Sequence, residues 1–228
     1  MELQLLGTSH IAKESIQEIK QRTQTWKPDI IAVELDLERA NDLMSNETRK
    51  TSMSIIPEIG IKGYLFAKIG QIVQQHLGKS VGISPGSEMK TAIELAQKDK
   101  LHIAFIDQPI RITLRNFSKQ FTWREKFRFA QDFCYGLFFP KRYAKQLGFT
   151  QFDLNKVPSK ELITKMMHHM KKNYPSLYKT LVEDRNRYMV KQLIKLMHEH
   201  PDKKILAIVG AGHESGMKEL LLKVDIVR

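Results

Sequence analysis

Two rhythms of apolar residues alternate along this chain. Compact apolar runs stand at residues 2–7 (ELQLLG), 29–35 (DIIAVEL), 101–107 (LHIAFID) and 204–210 (KILAIVG). Runs this short and this uniformly apolar suit strands covered on both faces, as in a parallel sheet. Between them the apolar positions recur at helical spacing. From about Ser9, the residues Ile11, Ile16, Ile19, Thr23 and Trp26 predict a helix that Pro28 stops. DLERANDLMS (36–45) predicts a short helix, and 55–77 an apolar helix interrupted by glycines. Met89, Ala92, Ile93 and Ala96 mark the buried face of another helix, with Ser87 as its expected N-cap. From Phe117 to about His200 the pattern is helical, with breaks near Pro140, 148–152, Pro158 and Pro175. GHESGMKELLLK predicts a last helix, and VDIVR an edge strand.

Strand–helix units therefore stand at both ends, with a block of helices between the third and fourth strands. That order predicts an α/β fold with a mostly parallel central sheet, flanking helices and a helical insertion at about 117–200. A length of 228 residues suits a single domain, 1–228.

The strand ends carry the candidate chemistry. LQLLGTSHIAKESI and KILAIVGAGHESGMKELL share a plan: an apolar strand, a glycine, two small residues, a histidine, then a helix. His10 and His213 thus close two G-x-x-H turns. The other strands end in Glu34 with Asp36, and in Asp107. Ends of parallel strands share one edge, where ligands bind in open α/β sheets. Two imidazoles and one or two carboxylates there can hold a divalent transition metal and leave a position for water. A remaining carboxylate can serve as general base. Taken singly, each of these residues is as well explained as a helix cap or a loop hydrogen bond. The repeated G-x-x-H is what favours a metal.

Composition narrows the setting. A single cysteine, Cys134, excludes an intrachain disulfide and fits a reducing compartment. No signal-peptide pattern opens the chain, and no apolar run approaches the roughly 20 residues of a membrane span. A cytoplasmic location is the expectation. The net charge of +12 favours acidic partners, although no nucleic-acid motif accompanies it. FTWREKFRFAQDFCYGLFFPKRYAKQLGF interleaves aromatic and basic residues. It can lie on an anionic membrane through Trp123, Phe127, Phe138 and Phe139 with Arg124, Lys126, Arg128, Lys141 and Arg142. The favoured expectation is instead that its aromatic stripe packs on the sheet and its basic face meets solvent. Residues 55–77 pose the same choice, or supply a contact in a homo-oligomer. His168, His169, His198 and His200 lack i, i+4 spacing and read as helix-surface residues.

Six segments in order resemble the TraB family, whose wider relatives include GumN-like proteins and the Tiki metalloproteases. They are Gly7-Thr8-x-His10, PDIIAVELDLER (28–39), Pro85-Gly86-x-Glu88-Met89, IDQPIRITLRN (106–116), DRNRYM (184–189) and IVGAGHESG (208–216). The resemblance implies a fold like that of the ChaN and erythromycin-esterase proteins. It also implies a divalent-metal hydrolase acting on a peptide or protein substrate. In that scheme His10, His213 and Glu34 are metal ligands for manganese, cobalt or zinc, with Glu34 alternatively the general base. Asp107 is a ligand or orients a histidine, and Arg185 and Asn186 bind substrate or polarise the scissile carbonyl. Glu88, Arg111 and Arg115 are further substrate-binding candidates. Gln108 departs from the family's arginine, a position Arg111 or Arg115 can substitute. The rivals to catalysis are a peptide-binding module of the pheromone-sequestering type and a peripheral membrane adaptor.

Overall fold

The structure, a computed structural model, describes residues 2–8, 13–45, 53–81, 86–139 and 160–226. Its centre is a parallel sheet of four strands in the order β1-β4-β2-β3. The strands are β1 (Glu2–Thr8), β2 (Ile30–Val33), β3 (His102–Phe105) and β4 (Lys204–Gly210). The last of these strands in sequence is thus inserted beside the first, which sets Gly7 and Thr8 next to the end of β4. In register, Gly7 lies opposite Val209 and Thr8 opposite Gly210. The Thr8 hydroxyl donates to the Val209 carbonyl at 3.3 Å.

Strand side chains alternate between two cores. Leu6, Ile31, Val33, Leu206 and Ile208 pack on one face, with Ile19 of α1 (Lys13–Trp26) and Met89, Ala92, Ile93 and Ala96 of α4 (Ser87–Lys98). The other face packs Ile30, Ala32, Ile205, Ala207 and Val209 against Met189, Val190 and Leu193 of α9 (Asp184–Glu199). It also holds Met217 of α10 (Ala211–Ile226). Covering both faces explains why the strands read as uninterrupted apolar runs.

The remaining described helices are α2 (Leu37–Ser45), α3 (Ile56–Val81), α5 (Ile110–Gln120), α6 (Trp123–Phe138), α7 (Lys160–Asn173) and α8 (Pro175–Tyr178). Helices α5 to α9 all lie between β3 and β4, as the pattern predicted. α3 breaks at Gly60, whose φ of 76° and ψ of 160° only glycine adopts readily. A π-helical turn, Lys179–Glu183, joins α8 to α9. Among the described residues no helix is long and apolar enough to cross a membrane.

Three expectations are corrected. The N-cap of α4 is Gly86, not Ser87, because the chain enters the helix through a left-handed residue with φ 85°. Residues 224–226 of VDIVR continue α10 rather than forming an edge strand. Trp123, Phe127 and Phe138 of α6 do not pack on the sheet: they are 83%, 69% and 70% exposed. The inner face of α6 is polar. Thr122 and Glu125 form a capping box, and Glu125 also accepts from the Ser176 N–H at 2.7 Å. Asp132 accepts from the Tyr174 hydroxyl, and Arg128 donates to Asn173 at 2.8 Å. Outside the described residues lie the expected breaks near Pro140, 148–152 and Pro158.

Burial pushes the Glu125 carboxyl up, and hydrogen bonds from Ser176 and Thr122 outweigh it, leaving the pKa below its ordinary 4.5. A depressed folded pKa means a contribution present above the unfolded value and lost as pH falls through the folded one. Glu125→Gln should therefore cost about 1 kcal/mol at pH 7, as loss of a helix cap does. The gap to wild type should close below about pH 4.5 in urea melts run across pH.

Candidate functional site at the carboxyl edge of the sheet

The residues that follow β2, β3 and β4 meet at one edge and are buried there: Glu34 is 4%, Asp107 4% and His213 7% exposed. The sheet's own hydrogen bonding carries them into place. The Glu34 N–H donates to the Ile208 carbonyl at 3.0 Å, and the Asp107 N–H to Leu35 at 3.2 Å. Asp36 caps α2, accepting from the Arg39 N–H at 2.9 Å, and reaches the Ile110 N–H of α5 at 3.3 Å. One aspartate thereby ties two helix starts to the end of β2.

Arg185, from the first turn of α9, runs through the centre. It grips Asp107 with two nitrogens, Nε to Oδ1 at 3.0 Å and Nη2 to Oδ2 at 2.8 Å. Nη2 also donates to Glu34 Oε1. Nη1 donates to the Leu181 carbonyl at 3.3 Å and meets His213 Nε2 at 3.1 Å. The preceding π turn helps to set this position. Its widened winding sends the Asp184 N–H back to Lys179, and wider turns of this kind concentrate at functional sites. Burial opposes the guanidinium charge, but Glu34 and Asp107 more than offset it and raise the Arg185 pKa above its ordinary value. Arg39 adds a second guanidinium, 3.1 Å from Asp107 Oδ2.

The tautomer of His213 follows from its neighbours. Arginine only donates, so Nε2 is an acceptor. Nδ1 then carries the hydrogen and donates to Asn186 Oδ1 at 2.6 Å. Nε2 faces Glu34 Oε1 at 3.3 Å. The other glutamate oxygen accepts from the Gly210 N–H at 2.6 Å. Two acceptors this close repel unless a cation lies against both, and Arg185 fills that role here.

Their spacing also suits a metal. Bonds of about 2.0–2.2 Å in tetrahedral array set neighbouring donors about 3.3–3.6 Å apart. Each donor is oriented by an outer partner, Asn186 or Gly210, as metal ligands are. Among the described residues no group of three or more His, Cys, Asp or Glu stands close enough to hold an ion. His10, the expected third ligand, lies outside the described residues.

Of the other candidates, Glu88 is buried in the first turn of α4. Arg111 is drawn to the surface by Glu58 at 2.8 Å and Glu38 at 3.2 Å, and Arg115 is exposed on α5. The structure brings neither arginine to the cluster. Gln108 donates to Thr113 Oγ1 at 2.6 Å and pins the start of α5. Arg39 carried no role in the sequence reading. Its signal was the Asp36-x-x-Arg39 spacing, which puts the arginine in the first turn of a helix capped by the aspartate.

An α/β protein with an all-parallel sheet and a buried arginine–carboxylate–histidine cluster at its carboxyl edge is the class these features define. Within that class the chain belongs to the TraB/PrgY/gumN family, whose model matches residues 2–224. It is 33% identical over 227 residues to an uncharacterised protein of Methanocaldococcus jannaschii, covering 98% of this chain and 54% of that protein. It is also similar to the TraB domain-containing proteins of Homo sapiens, at 24% identity, and Mus musculus, at 23%. Each alignment covers 94% of this chain and 61% of the relative. The chain thus spans little more than half the length of these relatives.

The last motif has a packing reason. His213 and Gly216 stand one turn apart on α10, and both meet Asn186. A methyl at Gly216 would collide with Asn186 Nδ2, whose partner oxygen is held by His213. At Gly212 it would meet Met167 at an ordinary 3.5 Å. Gly216→Ala should therefore destabilise by about 1–2 kcal/mol through the displaced amide. Gly212→Ala should be neutral or stabilising by up to about 1 kcal/mol, as for glycine within a helix. Urea melts of the two variants read this directly.

Proposed function

We propose that this chain is a metal-dependent hydrolase of peptide bonds, with its centre at the carboxyl edge of the sheet. The observation that carries the reading is the facing pair His213 Nε2 and Glu34 Oε1, acceptors held at 3.3 Å on the ends of neighbouring strands. Family membership supports the reading, since the matched span, residues 2–224, includes His10, Glu34 and His213. His213 and Glu34, with His10 as third ligand, would hold the ion. When bound, the ion supplies Lewis-acid polarisation and lowers the pKa of water.

The chain's own residues do the rest. Asn186 keeps the hydrogen on His213 Nδ1 and so keeps Nε2 available. Gly210 fixes one oxygen of Glu34, leaving the other to face the centre and take up a proton. Asp107 holds Arg185 in a bidentate grip. The remaining guanidinium edge, aimed at His213 and Glu34, would bind the carbonyl oxygen of the substrate peptide and stabilise charge developing on it.

Metal content measured by mass spectrometry after exposure to manganese, cobalt or zinc tests this. Wild type should retain about one ion per chain for at least one metal, and folded His10→Ala/His213→Ala should retain none. Metal-restored cleavage of a peptide library should then fall by about 100-fold or more in Glu34→Gln. A folded wild type that retains no ion would overturn the hydrolase reading and leave peptide binding by the same edge.

A further inference from the structure

On α6, Trp123, Phe127 and Phe138 are turned away from the protein, while Phe129 meets Tyr174 edge-on. Trp123, Phe127, Ala130, Cys134 and Phe138 follow one another at three- and four-residue steps and fall on one side of the helix. All of them are exposed, with Trp123, Phe127 and Phe138 between 69% and 83%. The stripe runs the whole helix, about 24 Å at 1.5 Å per residue. The opposite side makes the hydrogen bonds of Glu125, Arg128 and Asp132 to the loop and helices around 173–176. The helix is therefore amphipathic with its polar side inward, the reverse of an ordinary surface helix.

The charge beside the stripe has one sign. Both acidic residues of α6, Glu125 and Asp132, are taken up by inward bonds. Arg124 is exposed along one flank. On the other, Lys126 lies 3.6 Å over the Trp123 ring. Lys62 of α3 approaches it, and burial followed by that neighbour lowers the Lys126 pKa. Exposed Ile61 and Leu65, at 66% and 54%, flank Lys62 on α3. Large aromatic and aliphatic side chains bordered by cations, on a convex helix face, match an anionic lipid surface: the rings enter the acyl boundary and the cations meet headgroups. A second copy of the chain fits poorly, because pairing stripe to stripe would bring Arg124, Lys126 and Lys62 toward their own counterparts.

We propose that α6, with the adjoining turn of α3, is a peripheral docking face for anionic membranes, lying in the plane of the interface. This is independent of the hydrolase reading. It is tested with the 228-residue chain by flotation with vesicles of phosphatidylcholine alone or of equal parts phosphatidylcholine and phosphatidylglycerol. Wild type should float with the anionic vesicles, remain behind with the neutral ones, and be released by salt. Tryptophan emission should shift to the blue only with anionic vesicles. Phe127→Ala/Phe138→Ala should weaken partitioning by about tenfold or more. Arg124→Glu/Lys126→Glu should weaken it by about 20-fold or more. Phe127, Phe138 and Arg124 are exposed and Lys126 is half-buried against the exposed Trp123, so circular dichroism should match wild type. Failure to float with anionic vesicles overturns the proposal, as does flotation that the Phe127→Ala/Phe138→Ala variant leaves unchanged. Equal capture by polyglutamate would point to an acidic protein instead, and a concentration-dependent dimer lost in the phenylalanine variant to a second copy; either also overturns it.

Discussion

A buried arginine gripped by two carboxylates is the constraint on which this edge of the protein depends. Arg185 reaches Asp107 after β3, Glu34 after β2 and His213 after β4. One guanidinium thereby fixes the relative positions of three strand ends. Removing charges from water is costly, and the cost is met only when every group finds a partner. Here the partners extend outward to Arg39, Gly210, Asn186 and Leu181. The result is rigid and polar where the rest of the sheet is rigid and apolar.

That rigidity holds two acceptors face to face. His213 and Glu34 are held as facing acceptors, an arrangement unfavourable in itself and sustained by positive charge between them. A site built this way has two natural occupants, the arginine's own nitrogens and a small cation. The charge network thus accounts for the stability of the edge, and the proposed ion would lie against the same two acceptors that Arg185 meets.

Much of this was legible because it is local. Uninterrupted apolar runs announced buried strands, and Glu34, Asp107 and His213 at their ends announced a shared edge. Strand order was not legible, since nothing in a local pattern says that β4 enters beside β1. Misplacing the N-cap of α4 had a local cause of another kind: serine is the commoner cap, but the backbone enters left-handed and needs Gly86. β-branched residues in VDI suggested a strand, and packing of α10 overrode that propensity. The α6 stripe misled for a deeper reason. Apolar residues at helical spacing are expected inside, yet Glu125, Arg128 and Asp132 found specific partners on the inner side and turned the rings outward. Arg39 stood in a family motif without a role, because its value depends on Asp107, sixty-eight residues away.

A central claim runs through all of this: Arg185 and Asp107 act as one unit. A double-mutant cycle with Arg185→Met and Asp107→Leu, read by urea denaturation, tests it most directly. Either single change takes one counterpart from a buried charge, leaving Asp107 with Arg39 or Arg185 with Glu34, so each should cost up to about 3–5 kcal/mol. The double variant should lose less than the sum of the two by about 2 kcal/mol or more. Costs that add within about 0.5 kcal/mol would contradict the account, showing that the two side chains stand side by side without depending on each other.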